Sequence, residues 1–532
     1  MPQFPHKAIP HRIPLSDFVI AYRHTKAELF AERSIPSRLA LLDYEKDLVG
    51  NLKRLQSQIE LSRLINNQPS FLTPKFLGKI VRQPKEIKPT EGKDSAATDK
   101  QPHLYQTDAI ARWETFKSQK RPIADFRTMA IPSIDFQILG MLWIMKVGHH
   151  LDEKLLPESR GNRLQRIARS SDDLDELEPL PLNDESPHIF RPYHSAYRNW
   201  RRDGLNAIEG EIEEGRRVIA LTMDLKRYYH QIDPSFLNNA EFWTETFGID
   251  LTSEQWKLTK LFTSALVGWS RRSPERSGIP VGLLASKIIA NALLHAFDRA
   301  VSDELNPVFY ARYVDDVLLV IRPPKKAMSA TEVIGYVSTE LGDLAEVPKE
   351  GSTFSLKLRH VGKSKLEFGA AKQRIFDFQG ESGKDLLNTI RKEIDELSSE
   401  FRLMPDVSES DGSVLKQVLT ADHDLEVGAD SLRKADSLTV RRLGLAILLR
   451  NHELLERCMN DPKQWELIRM PFYDLIHEHV LTPERFSTFF QYLPQVFGLI
   501  AANGDWAIGE KLLKRLDWVQ KEIESLTEES SL

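Results

Sequence analysis

An α+β architecture, with antiparallel strands among helices followed by an all-helical C-terminal portion, is what this 532-residue sequence predicts. Three observations predict it. Tyr313-Val314-Asp315-Asp316 sits between the apolar runs 309–311 and 317–321, the pattern of a β-hairpin with an acidic tip. Residues 218–223 form an apolar strand that delivers Asp224 at its end, after which the chain turns helical through Tyr228 and Tyr229. Beyond residue 380 apolar residues recur only at helical spacing: Leu386, Leu387, Ile390, Ile394, Leu397 and Phe401, then stripes within 438–449, 465–480, 486–499 and 506–526.

The hairpin tip carries the chemistry. Tandem Asp residues at the end of two short strands reach a divalent cation that a buried strand would exclude, although Asp-Asp is also an ordinary hairpin loop. Its weight comes from order along the chain. Asp224 is a second source of carboxylate. Between it and the hairpin, Ser277-Gly278-Ile279-Pro280-Val281-Gly282 is a Gly/Pro-broken loop opening a helix that contains Ser286 and Asn291, a form suited to a nucleotide or template contact. Phosphoryl transfer needs two metal ions clamping the attacking hydroxyl and the triphosphate, so carboxylates from two segments must converge. Asp224 and Asp315 are the expected bridging pair, with Asp316 beside them.

In that order the segments DLKRYY (224–229), SGIPVGLLASKIIAN (277–291) and YVDD (313–316) resemble motifs A, B and C of reverse transcriptases, and GAAKQRIFDFQG (369–380) resembles motifs D and E. The resemblance spans most of residues 120–380. It implies right-hand polymerase fingers and palm, DNA synthesis from deoxynucleoside triphosphates, two Mg²⁺ ions with Mn²⁺ as an alternative, and a nucleic-acid template or product as partner. It casts Asp224, Asp315 and Asp316 as metal ligands and catalytic residues, with Lys372 protonating the leaving pyrophosphate or binding the triphosphate. Tyr229, five residues after Asp224, is implied to be the aromatic gate that collides with a ribose 2′-hydroxyl, while Tyr228 reads as packing. Gly282, Ser286, Asn291 and the finger residue Arg127 are the implied substrate contacts, and Phe376 to Gly380 a primer-gripping hairpin. An exposed salt-bridge lysine, helix-satisfying polar residues and a buried edge strand are the plainer readings of Lys372, of Ser286 with Asn291, and of 376–380.

Two departures refine the resemblance. Val281 stands where most reverse transcriptases have Gln, and Lys287 where most have Pro after the serine. Val cannot hydrogen-bond a base or sugar, so the polar contact that seats a templated nucleotide is absent. With the long helical tail, these departures resemble the AbiK-like abortive-infection group of bacterial phage defence, whose C-terminal domain is helical-repeat-like. That resemblance implies template-independent, protein-primed synthesis and a homo-oligomer, with Tyr22, Tyr44 and Tyr105 as acceptors that spacing does not separate. Two other functions stay open: a conventional RNA-templated enzyme of retron or intron type, with a noncoding RNA, and a helical-repeat binding protein with an inactive polymerase fold.

Bulk properties permit these readings. A net charge of −5 confines nucleic-acid binding to a local basic stripe. Arg160, Arg163, Arg166 and Arg169 recur every three residues, the spacing of one helix face. The lone Cys458 excludes an internal disulfide and a Cys-rich zinc module. The N-terminus has no secretory core, and the apolar stretch 134–147 is interrupted by Asp135, Gln137 and Lys146, so a cytoplasmic protein with no membrane partner is expected, a bacterial one as the AbiK-like resemblance implies. His149-His150 and His477-Glu478-His479 lack partners at ligand spacing and read as surface or capping residues.

Composition divides the chain into an N-terminal helical extension and linker (1–103), fingers and palm (104–380) and a helical domain (381–532). Residues 17–66 predict two amphipathic helices striped by Leu29, Leu39, Leu41, Leu42, Leu48, Leu52, Leu55 and Ile59. Residues 84–103 are a charged, Pro-bearing linker, and the acidic insertion 170–187 is a solvated loop. Trp465, Trp506, Trp518 and residues 486–490 are expected in the core.

Overall fold

The computed structural model describes residues 13–32, 37–60, 72–82, 108–120, 122–167, 180–325, 328–346, 354–369, 373–399, 419–421, 438–440 and 442–530. The chain separates into two compact units, Met1–Lys75 with Thr128–Arg391, and Phe76–Arg127 with Lys392–Leu532. These borders follow packing, whereas 103/104 and 380/381 follow composition.

The first unit is built on a four-stranded antiparallel sheet, so the α+β expectation holds. Strand Phe309–Tyr313 pairs with Asp316–Ile321, which pairs with Val218–Asp224, which pairs with Arg374–Phe378. Strand Val218–Asp224 is buried over most of its length, and its side chains alternate between two cores. Ile219, Leu221 and Met223 enter the main core of the unit. Val218 and Ala220 face a smaller cluster with Val320, Phe378, Leu387 and the helical residues Ile208 and Ile212. The two-residue period of a strand makes this possible: both faces are apolar because helices cover both. Each aliphatic chain so buried contributes about 1.5–3 kcal/mol. Residues 376–380 form no hairpin of their own; Arg374–Phe378 is the edge strand of this sheet, with Arg217 held to Asp377 by two hydrogen bonds of 2.8 and 2.5 Å.

Helix Tyr193–Glu213 is locked to the hairpin base by Glu211, whose carboxylate receives paired hydrogen bonds from Arg322 (both 2.8 Å) and Arg216 (2.8 and 2.9 Å). Those bonds, from Arg322 first and then Arg216, hold its pKa at about 2. A depressed carboxylate pKa contributes stability that is fully present above the unfolded value, near ~4.3, and is lost as pH falls toward the folded one. A Glu211→Gln chain is therefore expected to melt lower than wild type at pH 7, with the gap closing as pH drops from ~4.3 to about 2; melting temperatures across that range check this.

The N-terminal segment forms three helices rather than two: Leu15–Ala31, Arg38–Glu45 and Leu48–Glu60. A turn at Lys46 and Asp47 resets the helical phase, so the stripe does not continue through it. Leu29, Leu41, Leu52, Leu55 and Ile59 are buried, but Leu39 is 76% and Leu42 60% exposed.

The arginine repeat at 160–166 is not a helix face. Residues 159–167 are extended and turned, with bridges Ser159↔Arg312, Leu164↔Phe190 and Arg166↔Leu182. Arg163 donates to Asp152 Oδ1 (2.9 Å) and to the carbonyls of Asp152, Leu156 and Ser159, and Arg166 to the His149 carbonyl (2.7 Å). These guanidinium groups hold loops to a buried carboxylate rather than facing phosphate. Arg169, the linker 84–103 and insertion residues 170–179 lie outside the described residues.

In the second unit the pattern is not helix only. Short strands Leu419–Ala421 and Leu438–Val440 pair antiparallel, so the apolar run 438–449 begins as strand and becomes helix at Arg442. The remaining helices are punctuated as the turn residues dictate. Asp461 caps Pro462–Leu475 by accepting from the Lys463 and Gln464 amides, Pro483 opens Pro483–Phe489, and Gly504, at φ +69°, closes Leu493–Asn503. Trp465 is buried, its indole donating to Asn503 Oδ1 (2.6 Å), and Trp518 packs partly buried against the same core. Trp506 is instead 69% exposed. It precedes Leu512 by six residues on helix Trp506–Ser530, about 240° around the axis from the buried Leu512–Val519–Ile523 stripe. Among the described residues no helix is long and apolar enough to cross a membrane.

Candidate active site

The hairpin has only Val314 and Asp315 between its strands, and Tyr313 pairs directly with Asp316. Val314 adopts φ +60°, a left-handed conformation that a β-branched residue disfavours. A buried arginine holds it there. Arg312 Nη1 donates to the Val314 carbonyl (2.7 Å) and to Asn291 Oδ1 (3.0 Å), while Nη2 reaches Ser159 Oγ (3.0 Å) and Asp298 Oδ2 (2.6 Å), and Nε reaches Asp298 Oδ1 (2.8 Å). Tyr310 adds its hydroxyl to Asp298 Oδ1 (2.6 Å). Arg312, Asp298 and Asn291 are all fully buried. Burial by itself would lower the Arg312 pKa, but the charge and hydrogen bonds of Asp298 outweigh it and hold the guanidinium above its ordinary value. On the far side, a Cβ at Gly161 would come within 2.9 Å of the Val314 nitrogen and Cγ2, and the Gly161 carbonyl accepts from Asn291 Nδ2 (2.6 Å).

Asp224 reaches this tip across the sheet. It is the register partner of Asp316, and the Leu225 amide donates to the Asp315 carbonyl (3.4 Å). The other side of the turn is tied to strand Leu366–Phe368: the Gly369 amide donates to the Asp224 carbonyl (3.0 Å) and the Lys226 amide to the Glu367 carbonyl (2.8 Å). The structure thus brings Asp224, Asp315 and Asp316 to one end of two neighbouring strands, each partly exposed.

Tyr228 and Tyr229 open a short helix after Arg227, which has φ +48°. Tyr228 is buried and donates to the Ala290 carbonyl (2.5 Å), whereas Tyr229 is partly exposed. Burial first, then the charge of Asp315, push the Tyr229 hydroxyl pKa up. The loop 277–279 is stitched beneath it: the Ile279 amide donates to the Tyr229 carbonyl (2.8 Å) and Ser277 Oγ to the His230 carbonyl (2.6 Å). Gly278, at φ +93°, lies so close that a Cβ would stand 2.7 Å from the Tyr229 carbonyl oxygen and 2.6 Å from His230 Cα. Gly278→Ala is therefore expected to displace the Tyr229–His230 backbone and to lower the melting temperature, which a thermal melt checks.

Gly282, at φ +112°, is held by Gln137, which donates from Nε2 to the Gly282 carbonyl (2.7 Å) and accepts from the Leu284 amide (3.1 Å). The Ala130 amide donates to the Val281 carbonyl (2.8 Å). Ser286 is buried, and Lys287 places its ammonium 4.6 Å from the Phe190 ring centre. Asn291 is fully buried and joins the network around Arg312 through both ends of its amide. Lys372 and the Arg127 side chain lie outside the described residues. Tyr22 and Tyr44 are buried with their hydroxyls on Glu45 (2.8 Å) and Asp135 (2.7 Å), a placement that does not present them to a nucleotide. Tyr105 lies outside the described residues.

Sequence reading missed Arg312, Asp298, Ser159 and the part played by Gln137. A charged residue inside the apolar strand before Tyr313 was the available signal. It also gave His149 and His150 no partner, yet Glu153 joins them with ligand atoms all within 4.8 Å. Arg166 stands 3.9 Å from Glu153, and the charges of Arg166 and Lys146 act against a cation beside His149.

No curated protein matches the chain. Residues 118–345, which include Asp224, the 277–291 loop and helix, and the acidic hairpin, match the family model described as reverse transcriptase (RNA-dependent DNA polymerase). The chain therefore carries a reverse transcriptase domain, an RNA-dependent DNA polymerase.

Proposed function

We propose that this domain joins deoxynucleotides to a DNA end using Asp224, Asp315 and Asp316 as its metal-holding carboxylates. The observation that carries the reading is the cross-strand register of Asp224 with Asp316, which sets carboxylates from two distant segments side by side. An all-oxygen donor set, partly exposed at a strand end, fits Mg²⁺ and also Mn²⁺. Bound there, two such ions would supply charge stabilisation for the attacking hydroxyl and the departing pyrophosphate. The protein's own part is positioning. The Arg312 network fixes the hairpin tip, the 277–282 loop seats the incoming nucleotide against Gly282 and Ser286, and Tyr229 excludes a ribose 2′-hydroxyl. Arg127 and Lys372 are assigned to the triphosphate, Lys372 as the proton donor to the leaving group.

For the cellular role we infer a cytoplasmic, homo-oligomeric enzyme of bacterial phage defence, of the AbiK-like kind, with residues 381–532 as its helical domain. Val281, Lys287 and the long helical C-terminal portion support this, as they support untemplated, protein-primed synthesis. The matched family's description favours a second reading, RNA-templated copying.

Purified protein given Mg²⁺ and labelled deoxynucleotides, with and without an RNA template and primer, separates the two. DNA bonded to protein without template supports the first; synthesis only on primed RNA supports the second. Under either, Asp224→Asn is expected to abolish incorporation, and Tyr229→Ala to admit ribonucleotides about tenfold better relative to deoxynucleotides. Undiminished incorporation by Asp224→Asn would overturn the assignment.

A further inference from the structure

Helix Tyr193–Glu213 starts beside the acidic hairpin, and its first turns carry aromatic residues at i and i+4. Tyr193 and Tyr197 stack face to face, 5.4 Å between ring centres and 14° between planes. Both meet the Tyr313 ring edge-on, Tyr193 at 5.4 Å and Tyr197 at 5.0 Å. Tyr313 is the register partner of Asp316, so the stack stands next to the carboxylates.

The inner ring is fully committed. Tyr197 packs on Trp200 at 5.3 Å and has the Arg201 guanidinium 4.3 Å from its ring centre, with Arg201 Nη2 donating to its hydroxyl (2.6 Å). Tyr193, though stacked on Tyr197, is 54% exposed. Trp200 and Tyr313 belong to the core beneath it, and Tyr197 packs against that core. What Tyr193 adds is an aromatic surface, braced from behind by a cation-backed ring, within one side chain of the acidic tip. Aromatic faces so placed bind nucleobases without regard to sequence.

We propose that Tyr193, backed by Tyr197 and Arg201, is a stacking platform for a base near the growing end of the nucleic-acid strand. The proposal rests on the reading of Asp224, Asp315 and Asp316 as the point of nucleotide addition. The strand whose end is extended there must pass the hairpin, and Tyr193 is an exposed ring that borders Tyr313. The ring supplies the contact; the hydroxyl does not.

The test uses the full-length chain with Asp315→Asn, so that binding is read without extension. Affinity for a fluorescent primer–template is measured by anisotropy at fixed salt. Adding Tyr193→Ala is expected to weaken binding about tenfold, whereas Tyr193→Phe and Tyr193→Trp retain most of it. The slope of affinity against salt should stay the same, since no phosphate contact is removed. In the otherwise wild-type chain, Tyr193→Ala is expected to raise KM for the primer–template more than it lowers kcat. Equal binding by wild type and Tyr193→Ala would overturn the platform. So would a loss with Tyr193→Phe as large as with Tyr193→Ala, which would assign the role to the hydroxyl. Persistent synthesis by Asp315→Asn alone would instead refute the catalytic reading, leaving the binding comparison to judge the platform on its own.

Discussion

An Asp315→Asn chain is expected to lose DNA synthesis by about a thousandfold or more while melting at or slightly above the wild-type temperature. The substitution keeps the volume and removes one negative charge. Asp315 lies in the hairpin turn and is partly exposed. Stability is expected to hold or rise because Asp224 and Asp316 are neighbours of like charge, and removing one of three adjacent carboxylates relieves repulsion. Activity and stability therefore move apart, which a folding defect would not produce. Incorporation of labelled deoxynucleotide and a thermal melt on the same preparation measure both. Activity within tenfold of wild type would contradict the prediction.

Arg312→Met should have the largest effect on stability. It removes the guanidinium fork from a fully buried carboxylate and leaves Asp298 with only the Tyr310 hydroxyl among the contacts described above. Breaking a buried pair from one side costs about 3–5 kcal/mol, because an uncompensated charge stays in the interior. It also releases the Val314 carbonyl, so any folded fraction should be catalytically weak. Combining Arg312→Met with Asp298→Asn should restore much of the stability but not the activity, since nothing then grips the turn. Arg312→Lys keeps the charge without the fork and should fall between the two. Urea unfolding of the four chains, with incorporation assays, decides the matter; full activity in the double variant would show that the turn needs no tether.

The elements around the site were legible where local pattern and burial agree. Residues 218–224 and 316–321 are short apolar runs bounded by turn residues, and both are strands. Asp461-Pro462, Thr482-Pro483 and Asn503-Gly504 mark helix limits because caps and left-handed glycine act locally. The failures concern tertiary context. Arginines at 160, 163 and 166 have helical spacing, but Asp203 holds Arg160, and Asp152 with the carbonyls around it holds Arg163 and Arg166, partners that an isolated helix lacks. Trp506 belongs to a large apolar type yet lies off the stripe of its own helix, which phase decides and residue type does not. Only the fold reveals that the Asn291 amide joins Gly161 to Arg312. Gln137, 145 positions from Leu283's neighbour Gly282, could not be linked to that loop by any local signal.

The close fit of Gly161 against Val314 has an evolutionary corollary. The γ-methyl at 314 occupies the space that a β-carbon at 161 would need. The Val314 nitrogen stands equally close, so trimming 314 alone does not make room: a lineage that gains bulk at 161 must also shift the backbone of the turn, and Gly161→Ala should loosen the tip even alongside Val314→Gly.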